Sequence, residues 1–197
     1  QIRRRIFRSF GDRGDGSDWA IARLIHINGA PASGKTSLAA RFLVDHPLAL
    51  MIDIDDLRAS LGQWAEREES RVIARRLALA LAEAHLASGH DVVVPQYVGR
   101  IEFIDQLAAL AARQGASFVA VVLMVEPEVS MDRFGVRRTD LAARGVRHPE
   151  ADVDEAAIGE AVDDAIERLA EITRTRSTVR EVAAHGDVDT TYRALLA

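Results

Sequence analysis

The chain contains no cysteine. That absence excludes disulfides, thiolate-held metal and cysteine nucleophiles, and it fits a reducing, cytoplasmic setting. No apolar run approaches the roughly 18 residues that a membrane span needs, so no membrane partner is expected. There is no surplus of basic charge either. A net charge of −5 argues against a general nucleic-acid surface, although arginines can still cluster locally. No internal repeat is visible, and His26, His46, His85, His90, His148 and His185 show no paired metal-ligand spacing, so they read as structural. The 197 residues, 48% hydrophobic and 28% charged, suit one globular domain with a sizeable core. Lysine is nearly missing too: of 25 lysines and arginines, only Lys35 is lysine.

What is present starts at that lysine. Gly29-Ala30-Pro31-Ala32-Ser33-Gly34-Lys35-Thr36 fits the phosphate-binding pattern G-x-x-x-x-G-K-[ST]. The apolar segment Leu24-Ile25-His26-Ile27 precedes it and reads as a buried strand. Ser37 to Val44 follows with apolar residues at helical spacing and stops at His46-Pro47. Strand, glycine loop and helix form the setting the motif requires. Gly29 and Gly34 let the backbone approach an anion. The loop amides and the helix N-terminus then face phosphate with partial positive charge. Lys35 can reach the terminal phosphates, and the Thr36 hydroxyl can ligate Mg²⁺. Arginine, a planar fork, does not replace a compact ammonium in such a cradle. The bias toward arginine elsewhere stopped at this position.

Residues 1 to about 19 read as a basic, linker-like leader outside the fold, either an arm for an anionic partner or a disordered or partly docked segment. From residue 20 to 197 strands and helices alternate. Strands are expected near 24–28, 48–52, 91–95, 117–125 and 178–182. Helices are expected near 34–45, 66–88, 101–114, from 127, and 152–173, with a last one from the Asp187 cap to Leu196. Such alternation implies an α/β fold with a parallel sheet covered on both faces. Ligands then bind beyond the C-terminal strand ends. The P-loop, the acidic triplet Asp53, Asp55 and Asp56, and Gln96-Tyr97 should therefore share one crevice.

Phosphoryl transfer to an alcohol needs an in-line phosphate, neutralised charge and an oriented, deprotonated hydroxyl. Asp53 and Asp55 alternate on a strand-like end and can point the same way. Asp55 is the expected base and Asp53 the expected neighbour of the Mg²⁺ water shell. One of the three acids is expected to be only a helix cap, and Asp56 is the choice. Arg133, Arg137, Arg138, Arg144 and Arg147 follow the fourth strand, with Arg133 and Arg137 on one helical face. They read as a lid over the triphosphate, about 133–150, or as a solvated face. Arg58 and Arg100 sit past strand ends and are candidates for holding substrate. Gln96 and Tyr97 suit substrate recognition or a satisfied loop equally. The third strand ends without the acid of a Walker B element, which weakens a motor or switch ATPase reading.

The run Ile27 to Thr36, followed by Ile52-Asp53-Ile54-Asp55-Asp56-Leu57-Arg58, resembles the P-loop small-molecule kinases. The likeness is to chloramphenicol phosphotransferase and zeta-toxin-like proteins, relatives of shikimate and adenylate kinases, over about residues 22–196. It implies a three-layer fold around a five-stranded parallel sheet in the order 2-3-1-4-5. It also implies ATP with Mg²⁺, an arginine-rich lid and Asp55 as general base. Lys35 and Arg137 would share in catalysis, Thr36 and Asp53 in holding the metal. Gly29 through Gly34, Lys35, Thr36, Ser37 and Arg133 would contact the nucleotide. Asp53, Arg58, Gln96, Tyr97, Arg100 and Arg138 would face the acceptor, with Arg100 matching an arginine that grips an acceptor phosphate in nucleotide kinases. Gln96 departs from the acid of several relatives, and Asp53 is the substitute it leaves for the metal. The expected activity is ATP-dependent phosphorylation of a hydroxyl on a small molecule, an antibiotic or related metabolite. The alternatives are a nucleoside or nucleotide kinase, a sugar-nucleotide kinase and a nucleotide-binding module without catalysis. Oligomeric state is not readable from the sequence.

Lys35→Ala is expected to weaken nucleotide affinity and turnover together, as titration calorimetry and an ADP-release assay would show. Unchanged nucleotide affinity would remove the phosphate-cradle reading.

Overall fold

The computed structural model describes residues 21–143, 155–184 and 186–196. The expected leader, Arg144, Arg147, His148 and His185 lie outside the described residues. Five strands form one sheet: β1 (Arg23–Gly29), β2 (Leu50–Met51), β3 (Val92–Pro95), β4 (Ser117–Met124) and β5 (Val179–Ala183). Their order is β2-β3-β1-β4-β5, and every pairing is parallel. The expected topology is therefore present. β1 lies in the middle and all seven of its residues are buried, as a strand covered on both faces should be.

Alternation along the strands sends side chains into two cores. Leu24, Val92 and Val94 pack under the helices α3 (Glu69–Ala87) and α4 (Ile101–Arg113). Ile25, Ile27, Val93, Val121 and Leu123 pack under α1 (Lys35–Asp45) and α7 (Val188–Leu196). Two further helices, α5 (Pro127–Ala143) and α6 (Glu155–Thr175), follow β4, and Phe134 packs there against Ile158 and Val162.

Three local expectations change. β2 is shorter than 48–52, because Leu48 turns with φ at 65° and Asp53 already starts a helix. That helix, α2 (Ile54–Ala59), is too short to show a full apolar period. It is followed by a 3-10 turn, Trp64–Glu66, and α3 begins only at Glu69. α3 also presents its small side: Ser70, Ala74, Ala78 and Ala82 are buried, while Ile73, Leu77 and Leu81 are exposed. Four-residue spacing of small residues lets the helix axis approach its neighbours closely.

At the far end of the sheet from the strand C-termini, Arg23 and Asp91 are both buried. The Asp91 carboxylate accepts from the Arg23 backbone N–H at 2.9 Å and from its guanidinium. This joins the starts of β1 and β3. Removing one member leaves an uncompensated buried charge. Asp91→Ala is expected to cost roughly 3–5 kcal/mol of stability, measured by urea unfolding. A loss below about 1 kcal/mol, the scale of an exposed pair, would contradict this.

Candidate active site

The loop between β1 and α1 is built on two glycines with different tasks. Gly34 has φ 97°, ψ 13°, a left-handed conformation at the mouth of α1, which glycine adopts at little cost. At Gly29 the constraint is space: a Cβ would stand 2.5 Å from Ser33 Oγ and 3.2 Å from Leu123. Between them Ala32 also has positive φ, 55°. Lys35 Nζ donates to the carbonyls of Gly29 at 3.1 Å and Ala30 at 2.8 Å. Ser33 Oγ is buried with no hydrogen-bond partner.

Parallel order places the ends of β2, β3 and β1 side by side. A cleft of about 290 Å³ opens there. It is lined by Pro31, Ala32, Gly34, Lys35, Thr36, Ser37, Asp53, Asp55, Pro95, Gln96, Tyr97, Arg133 and Arg137. The loop, Asp53, Asp55, Gln96 and Tyr97 meet there as expected, while Asp56, the third acid, is exposed and does not line the cleft. Gln96, at the end of β3, stands between the acids after β2 and the loop after β1 by strand order.

The acids are arranged differently from the expectation. Asp53, not Asp56, is the helix cap. It keeps extended backbone while its carboxylate accepts from the Asp55 and Asp56 amides at 2.9 and 3.3 Å. Asp55 and Asp56 are already in the first turn, where a side chain has no free amide ahead of it to cap. Asp53 and Asp55 thus share the cleft through a cap and a helical turn, not through strand alternation. Burial raises the Asp53 carboxyl above the usual carboxylate range, with Asp56 and Asp55 adding repulsion. Asp55 is half-buried, and its Oδ2 lies 3.4 Å from Gln96 Nε2.

Arg133 and Arg137 reach the cleft from α5, one turn apart as their spacing requires. Among the described residues, the other candidate arginines do not line it. Arg58 is buried, donates from Nε to Ser70 Oγ at 2.9 Å and lies over the Trp64 ring. Its helix turns it into the packing between α2 and α3. Arg100 is exposed at the start of α4, and Arg138 points off the cleft-facing side of α5. Tyr97 lines the cleft, but its hydroxyl lies against Gly99, where any Cβ would come within 2.8 Å of it. Burial raises its phenol above the usual value.

Two contributors were not singled out from sequence. Asn28 Oδ1 accepts from the amides of Gly29 and Val98, and its Nδ2 donates to the Val98 carbonyl at 2.9 Å. It ties the loop to the segment after β3. An amide in an apolar strand just before the loop was the available signal. Ser130, fully buried, donates to the Pro31 carbonyl and ties α5 to the same loop. Nothing in the spacing marks it.

A second hollow of about 200 Å³ adjoins the cleft behind the loop. Ala32, Gly34, Ser37 and Arg133 border both hollows, Ser33 borders this one, and Gly186, Asp187, Val188 and Thr191 close it. A larger hollow, about 740 Å³, lies between α5 and α6, lined by Met131, Val136, Thr139, Ile158 and others. It has no phosphate-binding loop, so chemistry assigns the site to the smaller cleft. Among the described residues no helix is long and apolar enough to cross a membrane, and no three His, Asp or Glu groups converge as a metal site. A divalent ion here would therefore take most of its ligands from phosphate and water, as Mg²⁺ commonly does.

The profile of a family described as an AAA domain matches residues 24–169. The chain belongs to that family. The AAA domain match runs from β1 through the loop, the acids and both cleft arginines into α6. Solved structures share the fold. A protein titled a gluconokinase from Sinorhizobium meliloti 1021 is 20% identical with a TM-score of 0.55, covering 89% of this chain and 90% of that one. The protein titled APE1195 is 15% identical with a TM-score of 0.58, covering 89% and 93%. A chain of the Pnkp1/Rnl/Hen1 complex is 17% identical with a TM-score of 0.50, covering 62% of this chain and 41% of that one. No curated protein matches in sequence.

His26, fully buried below the cleft, donates from Nε2 to the Gln96 carbonyl at 3.0 Å. Burial pushes its pKa down to about 4, and Lys35 pushes the same way. The folded protein thus keeps His26 neutral where the unfolded chain binds a proton, so stability falls as pH drops from about 6.5 toward 4. Between pH 7.5 and 5 this group alone is expected to remove roughly 2 kcal/mol. Urea unfolding of the parent and of His26→Gln at both pH values checks it; parallel pH dependence in the two proteins would contradict it.

Proposed function

We propose that this chain is an ATP-dependent O-phosphotransferase that moves the γ-phosphate to a hydroxyl of a small molecule in the cytoplasm. One observation carries the reading: Lys35 and Thr36 face Asp55 across a single cleft. A motor or switch ATPase needs a water-positioning group there, whereas an alcohol acceptor needs a carboxylate base with room beside it.

The residues fit a nucleoside triphosphate. The Gly29 cradle leaves no room for a Cβ. Ser33 Oγ supplies a buried polar atom without a protein partner, and the α1 N-terminus supplies amides without a side-chain cap. The hollow closed by Gly186 and Val188 suits the nucleobase. Thr36 and Asp53 would hold Mg²⁺, which screens the charge of the phosphates when bound. A cation beside Asp53 also offsets the burial and repulsion that otherwise favour its neutral form.

Asp55 orients the acceptor hydroxyl and takes its proton. The acceptor oxygen bonds to the transferred phosphorus as the bridging P–O bond to the diphosphate breaks. Lys35, Arg133 and Arg137 supply fixed positive charge where the oxygens gain negative charge. In this reading α5 carries Arg133 and Arg137 on the described part of a lid of about 133–150, whose residues 144–150 lie outside the described residues, and the Ser130 contact to Pro31 couples α5 to the loop. Closure would exclude water. The likeness to a protein titled a gluconokinase accords with small-molecule phosphorylation.

The test is transfer of phosphate to sugars, nucleosides, nucleoside monophosphates and hydroxylated antibiotics, read by mass spectrometry. With a compound so identified, Asp55→Asn is expected to lower kcat about 10²–10⁴-fold while nucleotide affinity stays within about threefold. Unchanged turnover in that variant would remove Asp55 as the base.

A further inference from the structure

The side-chain amide of Gln96 does little for the fold. Its Oε1 is buried without a hydrogen-bond partner. An orphaned buried acceptor lowers stability, and an apolar side chain of similar length would not carry one. The other end of the same amide does have a partner: Nε2 lies 3.4 Å from Asp55 Oδ2. Charge sets that orientation, because the reverse would turn a carbonyl oxygen toward a carboxylate. The contact is long, as hydrogen bonds in a catalytic site commonly are until substrate tightens them. The backbone beneath is fixed from β1. His26 and Asn28 share the face of β1 that carries Leu24, since alternate residues of a strand point the same way. His26 donates to the Gln96 carbonyl at 3.0 Å. Asn28 accepts from the Val98 amide at 3.0 Å and donates to its carbonyl at 2.9 Å. The Gln96 N–H donates to the Val94 carbonyl at 3.1 Å.

We infer that Gln96 is a positioning residue for Asp55: its Nε2–H holds Oδ2, and Oδ1 is left to meet the acceptor hydroxyl. The inference rests on the kinase reading and assigns Gln96 to the base, not to the acceptor or the metal. A carboxylate rotates easily about its last torsion, which has only a broad, roughly two-fold preference. A donor fastened to one oxygen fixes the carboxylate plane, and a general base works only within hydrogen-bond reach of the proton it takes. The residue type follows from the charges already present. Asp53 and Asp55 both line the cleft, and an acid at position 96 would add repulsion instead of a donor. A neutral amide supplies the N–H without a third charge. The unpartnered Oε1 is then the consequence of an amide oriented for Asp55 and not for its own burial.

Gln96→Met keeps the length of the side chain and removes the donor. Its urea-unfolding midpoint is expected to equal or exceed that of the parent. Turnover is measured with ATP, Mg²⁺ and whichever compound of the sugar, nucleoside, nucleoside monophosphate and antibiotic panel gains phosphate. There kcat is expected to fall about 10–100-fold, while KM for ATP and for the acceptor changes less than about threefold. With Asp55→Asn already in place, the same substitution is expected to change kcat less than about twofold, because the group it positions is gone. A further readout is independent of turnover: the nitrogen-15-labelled side-chain amide of Gln96 is expected to shift in the NMR spectrum of Asp55→Ala. A lower unfolding midpoint, or failure of Gln96→Met to fold, would make Gln96 a structural residue. A change in acceptor KM alone would make it an acceptor contact. An equal fall of kcat in both backgrounds, or an unshifted side-chain amide, would break the link to Asp55. Each of these overturns the inference and leaves the kinase reading standing. No phosphorylated product from any compound of the panel would overturn both.

Discussion

An ammonium group and a carboxylate, those of Lys35 and Asp55, line one cleft of about 290 Å³. Lys35 is held by the Gly29 and Ala30 carbonyls, and Asp55 by its place in the first turn of α2 beside Gln96. In the proposed reaction the space between their backbone anchors takes a phosphate at the cation and an alcohol at the carboxylate. The sheet enforces this separation. With β3 between β1 and β2, the loop and the acids are two strands apart, and Gln96 fills the middle. Parallel strands spaced about 4.8 Å apart make the gap a property of the fold rather than of any side chain.

The supports of that gap are polar and buried. Asn28 clamps the loop to the segment after β3, His26 holds the Gln96 carbonyl, and Ser130 fastens α5 to Pro31. Each satisfies backbone groups that a functional loop would otherwise leave unpaired. They share a consequence: the cleft walls are set before any ligand arrives, which lowers the ordering cost of binding. Arg133 and Arg137 sit on a helix fastened at its start, so their approach can vary along α5 while the loop stays fixed.

The topology and the loop were legible in the sequence because they rest on local signals. Apolar runs such as Val92-Val93-Val94 mark buried strands, and the Gly-Lys-Thr turn has few alternative uses. The meeting of the loop, Asp53, Asp55 and Gln96 followed from strand order, and that of Arg133 and Arg137 from their shared helical face. What was not legible depends on three-dimensional detail. The cap fell to Asp53 because α2 begins one residue after it, a boundary no short apolar pattern reveals. Arg58 and Arg100 look alike in sequence, yet one is buried over the Trp64 ring and the other left exposed, because helix phase decides direction. In α3 the large apolar residues face outward, since the space beside the sheet admits only alanine and serine at most turns. Residue type does not announce such close packing.

Phosphate transfer by this cleft depends on where a nucleotide's terminal phosphate lies relative to Asp55. A crystal structure with a non-hydrolysable ATP analogue and Mg²⁺ measures it directly. The γ-phosphate should contact Lys35 Nζ, with space for one hydroxyl oxygen, about 3–3.5 Å from the phosphorus, between it and the Asp55 carboxylate. Density that turns the γ-phosphate away from Asp55, or a carboxylate that blocks the space, would contradict the assignment.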